Sequence, residues 1–172
     1  HHGGAHVLPV EPEARVDRLM VKEEISYMAK TAEHWFIRHN ILGIGMYPIN
    51  PVASANEILA AKDLVRQVYL DEKVENYILD IVFATRYADK FNLPKLAPLI
   101  SYGGSPRASI NLALASKAHA FLNKRGYVVP EDVRAICKDV LRHRIGLTYE
   151  AEAENISTVD IVDDILKTVS VP

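Results

Sequence analysis

From Ser54 onward, apolar residues recur at intervals of three and four, the rhythm of helices that each bury one face. Ser54 and Glu57 form a capping box for the first of them, whose face runs through Ile58, Ala61, Leu64, Val65 and Val68. Asp71 caps the next, with a stripe of Val74, Tyr77, Ile78, Ile81, Val82 and Ala88. Pro94 and Pro98 break the pattern. Ser105-Pro106 then supplies a cap and a first-turn proline for a helix whose predicted inner face is Ile110, Leu114, Ala118, Phe121 and Leu122, and Gly126 stops it. Pro130-Glu131-Asp132 opens another, with acids where the helix dipole favours them and a face of Val133, Ile136, Cys137, Val140 and Leu141. Arg142, His143 and Arg144 read as cations of its last turn, complementing the negative helix end. A second capping box, Ser157 with Asp160, begins the last helix, which buries Ile161, Val162, Ile165, Leu166 and Val169.

Before Ser54 the rhythm is weaker. The first 27 residues mix Pro9 and Pro12 with short β-prone stretches, Leu19 to Lys22 and Glu24 to Tyr27, and read as loop and strand edge rather than helix. A helix around Thr31 to Leu42, carrying Trp35 and Phe36, is followed by Gly43, Gly45, Pro48 and Pro51, a breaker-rich connector. The pattern divides the chain into 1–27, a connector over 28–53 and a helical domain over 54–172. The expected fold is mainly α, an antiparallel helical bundle, with Val68-Tyr69-Leu70 and Tyr127-Val128-Val129 pairing as a small β ribbon.

Composition changes this picture little. The 172 residues are 49% hydrophobic and 24% charged, which is the balance of an ordinary folded domain. A net charge of -2 gives no overall attraction to nucleic acid or to an anionic membrane. No apolar run approaches the roughly 20 residues of a membrane span, so a cytoplasmic setting without membrane or nucleic-acid partners is expected. A single cysteine, Cys137, excludes an internal disulfide and sits on an apolar face as a small core residue. The histidines show no ligand spacing, and no metal site is predicted.

Candidate chemistry concentrates in Gly103-Gly104-Ser105-Pro106-Arg107. Two glycines allow close approach to the backbone and a capped helix begins at once. Free N–H groups, the positive helix end and the Arg107 guanidinium together suit a terminal phosphate. On the residues alone, a plain helix start with a solvated arginine is the simpler reading. The spacing puts Arg107 at the edge of the Ile110 and Leu114 stripe, projecting from the rim of the bundle.

The segment Gly103-Gly104-Ser105-Pro106-Arg107-Ala108-Ser109 closely resembles the Gly-Ala-Ser-Pro-Arg-Ala segment of the sensor 2 helix in MoxR-family AAA+ ATPases, with Gly104 in place of alanine. The resemblance continues through Leu64-Val65-Arg66-Gln67-Val68, Tyr127-Val128-Val129-Pro130-Glu131-Asp132-Val133, Val140-Leu141-Arg142-His143-Arg144-Ile145 and Leu147-Thr148-Tyr149-Glu150-Ala151-Glu152-Ala153-Glu154. Leu8-Pro9 and Pro12-Glu13-Ala14-Arg15-Val16-Asp17-Arg18-Leu19 resemble the end of the family's ATPase core, with an insertion at Val10 and Glu11 and Leu19 where phenylalanine is usual. Without the resemblance, Asp17-Arg18 reads as a surface ion pair.

The resemblance implies that residues 54–172 are the helical lid of such an ATPase and residues 1–27 the end of its core. It makes Arg107 the sensor 2 arginine, with Gly103, Gly104 and Ser105 at the nucleotide, and Arg18 the arginine finger reaching a neighbour's ATP. It further implies ATP and Mg²⁺ as ligands of the full-length protein, a ring, hexameric in expectation, chaperone-like action on protein complexes, and von Willebrand factor A domain partners. The chain contains no Gly-x-x-x-x-Gly-Lys-Ser/Thr loop, so hydrolysis requires additional chain. Val68-Tyr69-Leu70-Asp71-Glu72 imitates a magnesium-holding Walker B strand, but Asp71 and Glu72 are already explained as a helix cap and first turn. The alternatives are a non-enzymatic helical adaptor and the lid of a magnesium-chelatase-like ATPase.

Overall fold

The computed structural model describes residues 13–45 and 47–172. They form eight helices: α1 (Glu13–Val16), α2 (Lys30–Ile41), α3 (Ala55–Gln67), α4 (Glu72–Arg86), α5 (Pro106–Leu122), α6 (Pro130–Leu141), α7 (Tyr149–Ala153) and α8 (Thr158–Thr168). Two short strands, β1 (Ile100–Tyr102) and β2 (Gly146–Leu147), pair antiparallel. Leu8, Pro9, Val10, Glu11 and Pro12, on which part of the sequence comparison rests, lie outside the described residues. No described helix is long and apolar enough to cross a membrane.

The chain divides into two compact units, one of residues 23–63 and one of residues up to Lys22 together with 64–172. In the smaller unit α2 buries none of its residues. Its Trp35, His39 and Tyr47 rings stack with centroids 4.9 Å and 5.1 Å apart, and His39 Nε2 lies 2.6 Å from the Gly45 carbonyl. The Ser54 capping box is formed in both directions, Ser54 N donating to Glu57 and Glu57 N donating to Ser54 Oγ. The face predicted for α3 is not a core face, since Ile58 and Leu64 are exposed and Ala61 and Val65 only half-buried. Only Val68, just past the helix, enters the core of the larger unit.

The larger unit is a mainly helical bundle in which α5 and α6 pack most closely, with α4 and α8 completing the layer. Asp71 caps α4 by accepting from Lys73 N, and the predicted stripe from Val74 to Ala88 is buried throughout. The faces of α6 and α8 are likewise buried as their spacing requires, Ile136 partly so. Burial pushes the Cys137 thiol up to about 12, so it behaves as a small apolar side chain.

α5 departs from expectation. Ile110 is 58% and Leu122 77% exposed, with Leu114 also exposed, while Ala108, Leu112, Ala115, Ser116 and Ala120 face inward. α5 is apolar on most sides, so periodicity could not choose a face. Small residues won because they let the neighbouring helix approach closely. The predicted ribbon reduces to one parallel bridge: Tyr69 N donates to the Gly126 carbonyl and Val128 N to that of Tyr69. The sheet forms instead between β1 and β2. The N-terminal stretch is also not strand edge. Residues 13–16 make a helical turn, and the β-prone residues that follow pair with no strand among the described residues.

Instead, that stretch is held by the end of α6. Arg144, whose side chain is 0% exposed, reaches across it with its whole guanidinium. Nε donates to Asp17 Oδ1 (3.1 Å), Nη2 to the carbonyls of Asp17 (2.8 Å) and Leu19, and Nη1 to those of Met20 (3.0 Å) and Val140 (2.6 Å). Arg142 Nη1 donates to the Lys22 carbonyl, Lys22 N to that of Asp139, and His143 Nε2 to that of Leu19. These side chains are therefore more than complements to a helix dipole. They fasten residues 17–22 to the bundle, and all three nitrogens of the buried Arg144 guanidinium find acceptors.

A second closed network lies at the opposite end of α6. The fully buried Asp132 carboxylate accepts from Arg125 Nη1 (2.6 Å) and Nη2 (2.7 Å), from Val129 N (2.8 Å) and from His119 Nδ1 (2.6 Å). Burial alone would raise its pKa, but the Arg125 fork, the Val129 N–H and His119 hold it down to about 2. The unfolded chain, with an ordinary value near 3.8, takes up this proton first as pH falls.

Two outcomes follow. The Asp132 carboxylate contributes about 2 kcal/mol of stability above pH 4, lost as pH drops towards 2. Urea unfolding of wild type should weaken across that window, whereas Asp132→Asn should be less stable at pH 7 and flatter below pH 4; parallel profiles would contradict the assignment. Arg144→Ala should cost about 3 kcal/mol by removing the donors held by Asp17 Oδ1 and by the carbonyls of Asp17, Leu19, Met20 and Val140. Arg144→Lys should recover little of it, because an ammonium cannot reproduce the fork. A lysine variant with the wild-type urea midpoint would show that the fork is not what holds the segment.

Candidate functional site

The loop predicted to meet a phosphate is shaped by the end of α4. A Cβ on Gly103 would overlap the Thr85 carbonyl group, so only glycine lets the two backbones pass this closely. Gly104 N donates to Thr85 Oγ1 (2.9 Å), whose own hydroxyl donates to the Val82 carbonyl (2.5 Å), and Arg86 Nε donates to the Gly104 carbonyl (2.6 Å). At Gly104 a Cβ would sit 2.9 Å from that of Ala108, so the alanine usual in the resembling family requires a small local shift.

Ser105 caps α5, its Oγ accepting from Arg107 N (3.2 Å) and its carbonyl from Ala108 N (2.9 Å). The N–H groups of Gly104, Arg107 and Ala108 therefore serve the loop's own fold. Anion-binding capacity shifts to side chains. Arg107 leaves the loop with its side chain 49% exposed, on the outward side of α5 that also carries Ile110 and Leu114.

Facing this loop is Asp17, one residue before Arg18. Ser105 Oγ donates to Asp17 Oδ2 (3.0 Å), Arg107 Nη1 lies 3.9 Å from the same oxygen, and Oδ1 accepts from Arg144. The Asp17 carboxylate thus joins arginines of the bundle instead of forming a surface pair with Arg18. A cavity of about 200 Å³ opens here, lined by Asp17, Tyr102, Gly103, Ser105, His143 and Arg144. Burial lowers the pKa of His143, opposed by its bond to the Leu19 carbonyl, so its ring is neutral at pH 7 with Nε2–H on that carbonyl. Burial likewise lowers that of Arg144, with Asp17 opposing.

Four of the residues singled out in the sequence are placed here as follows. Gly103 and Ser105 line the cavity, Gly104 is buried, and Arg107 is half-exposed outside the lining, reaching toward Asp17. Arg18 is exposed on the turn that follows α1, with its N–H on the Arg15 carbonyl. Sequence reasoning missed Asp17 and Arg144 as members of this group. The run Arg142-His143-Arg144 was its visible trace, but these acceptors lie 120 and 127 residues away. Among the described residues no group of three or more histidine, cysteine or acidic side chains could hold a metal ion.

Residues 96–165 match the AAA lid domain family. Over 171 residues the chain is 30% identical to the chaperone MoxR1 of Mycobacterium tuberculosis, an alignment covering 99% of this chain and 44% of that protein. It is 31% identical over 161 residues to the uncharacterised protein YeaC of Bacillus subtilis, covering 94% and 48% respectively. The solved structure of a protein assigned as an ATPase from Cytophaga hutchinsonii shares its fold with a TM-score of 0.87 and 41% identity, over 95% of this chain and 49% of that one. The chain spans about half the length of the relatives it matches. A lid-domain match over the bundle's centre and likeness to MoxR proteins along nearly the whole chain agree with the fold: the chain belongs to the MoxR-type AAA+ proteins and carries their lid domain.

Proposed function

We propose that this chain is the nucleotide-responsive lid of an ATP-hydrolysing motor, with Arg107 as its sensor 2 arginine and Arg18 as its arginine finger. The observation that carries the reading is the approach of Asp17 to Ser105 and Arg107. It fastens the turn bearing Arg18 to the helix bearing Arg107 within one compact unit. In this reading the two arginines, carried on one body, serve one phosphoryl group. A finger acts on the nucleotide of a neighbouring subunit, so Arg107 acts across that interface too, and the protein works as a ring, hexameric in this reading.

The size of the site supports a sensing role. About 200 Å³ falls below the roughly 300–1,000 Å³ that encloses a small molecule, so the site accepts the phosphoryl end of a nucleotide rather than the whole of it. Arg107 would grip phosphate oxygens through its fork, and Arg18 would meet charge that develops during transfer. Gly103 and Gly104 set the loop's path and Ser105 its cap. The P-loop and the magnesium that accompanies ATP belong to the other half of the motor. Coupled to hydrolysis, lid movement would drive chaperone-like assembly or remodelling of protein complexes, as the name of the mycobacterial relative suggests, with von Willebrand factor A domain proteins as partners.

A non-enzymatic adaptor is the second reading, favoured by the outward apolar side of α5 at Ile110, Leu114 and Leu122. Turnover separates the two. In the longer protein that joins this chain to a P-loop half, Arg18→Ala should lower kcat by roughly a thousandfold with little change in KM. Arg107→Ala should lower kcat and raise KM for ATP. If that longer protein assembles yet hydrolyses no ATP, the motor reading fails and the adaptor stands; if it hydrolyses ATP and both variants turn over normally, the roles given to Arg18 and Arg107 fail.

A further inference from the structure

The two oxygens of Asp17 live in different surroundings. Oδ1 is bound by Arg144, whose side chain is fully buried and whose remaining donors hold the carbonyls of Asp17, Leu19 and Met20. The backbone on both sides of Arg18 is therefore bracketed by one guanidinium. Oδ2 takes a hydrogen bond from Ser105, which lines the cavity with Asp17, and a looser charge contact from the half-exposed Arg107. At 3.9 Å that contact is too long for the direct hydrogen bond that a charged pair forms at about 2.7–2.9 Å.

From this asymmetry we infer that Asp17 is a positioning residue with one permanent and one exchangeable grip, and that a phosphoryl group competes with it for Arg107. The inference rests on the proposed roles of Arg18 and Arg107. Through Oδ1 the carboxylate keeps the Arg18 turn fixed on the bundle. Through Oδ2 it holds the Ser105 cap, and so the start of α5, at a set distance from that turn. Arg107, carried on the first turn of α5, is parked against Oδ2 until phosphate oxygens arrive. A phosphate accepts both arms of the fork and carries more charge than a carboxylate, so the exchange favours phosphate. Arg107 then moves while Arg18 stays, which brings both arginines to one group in a defined order. No bond is made or broken by Asp17 itself.

A purely structural Asp17 and a positioning Asp17 give different kinetics. Asp17→Asn keeps the shape and an acceptor for Arg144 but removes the charge that parks Arg107. In the longer protein with its P-loop half, kcat should fall about tenfold or more, because the spacing of the arginines is loosened. KM for ATP should fall as well, by about threefold, because Arg107 is no longer held back. On an Arg107→Ala background the same substitution should leave KM unchanged, the non-additivity expected of directly interacting side chains. Ser105→Gly, which keeps an acceptable cap while cutting the bond to Oδ2, should lower kcat several-fold and serves if Asp17→Asn does not fold. Wild-type kcat and KM in Asp17→Asn, or a KM fall that persists without Arg107, overturns the inference. So does a Ser105→Gly variant with wild-type kcat. The proposed site itself fails separately, if Arg18→Ala and Arg107→Ala leave turnover unchanged.

Discussion

The interaction on which the larger unit depends is the grip of Arg144 on residues 17–20. A guanidinium taken out of water is costly unless its donors are satisfied, and here they end on a carboxylate and four carbonyls. The geometry has two effects. It satisfies the carbonyls of a stretch that joins no sheet, and it fixes where Asp17 and Arg18 stand relative to the loop that begins α5. Arg142 and His143 extend the same hold to Leu19 and Lys22. Remove the fork and the site loses its floor, because Asp17 reaches Ser105 only from a backbone that Arg144 secures.

Much of the fold was legible where the cause is local. Ser54 with Glu57, Asp71, and Ser157 with Asp160 cap helices as their spacing requires, because a side chain and an N–H within three residues need no tertiary information. The inner faces of α4, α6 and α8 followed from periodicity, because each alternates apolar and charged sides. α5 defeated the same reasoning, since apolar residues lie on both sides and the inward choice went to small ones. α3 failed for the opposite reason: its stripe is real but stands exposed. In the site, the glycines, Ser105 and Arg107 were visible as a group. Asp17, Arg144 and the Asp132 network were not, because each is defined by a partner from another element.

The two sides of α5 bear on what the chain does. Its inward side is fully used by this bundle. The outward side begins with Arg107 and continues through Ile110 and Leu114, so the residue proposed to sense nucleotide shares a surface with unburied apolar groups. The chain spans about half of its relatives' length, and the motor reading requires a P-loop from additional chain. A surface that combines a half-exposed arginine, proposed to grip phosphate, with apolar neighbours suits contact with a nucleotide-bearing domain better than it suits open solvent.

The carboxylates of Asp132 and Asp17 both pair with arginine, and their surroundings assign them opposite roles. Asp132 is fully buried, and its contacts from Arg125, Val129 and His119 leave no side open to a competitor. Such a network adds stability and changes only when the fold does. Asp17 is 26% exposed and lines a cavity, with one oxygen held by the buried Arg144 and the other by Ser105 and, more loosely, the half-exposed Arg107. The sealed half gives it a fixed address, and the open half lets another anion take its place on Arg107. A carboxylate that is half permanent and half replaceable can carry a signal, because the exchange alters one partner while the other keeps the frame in register. The contrast follows from burial alone, and it places the responsive chemistry of this lid at Asp17.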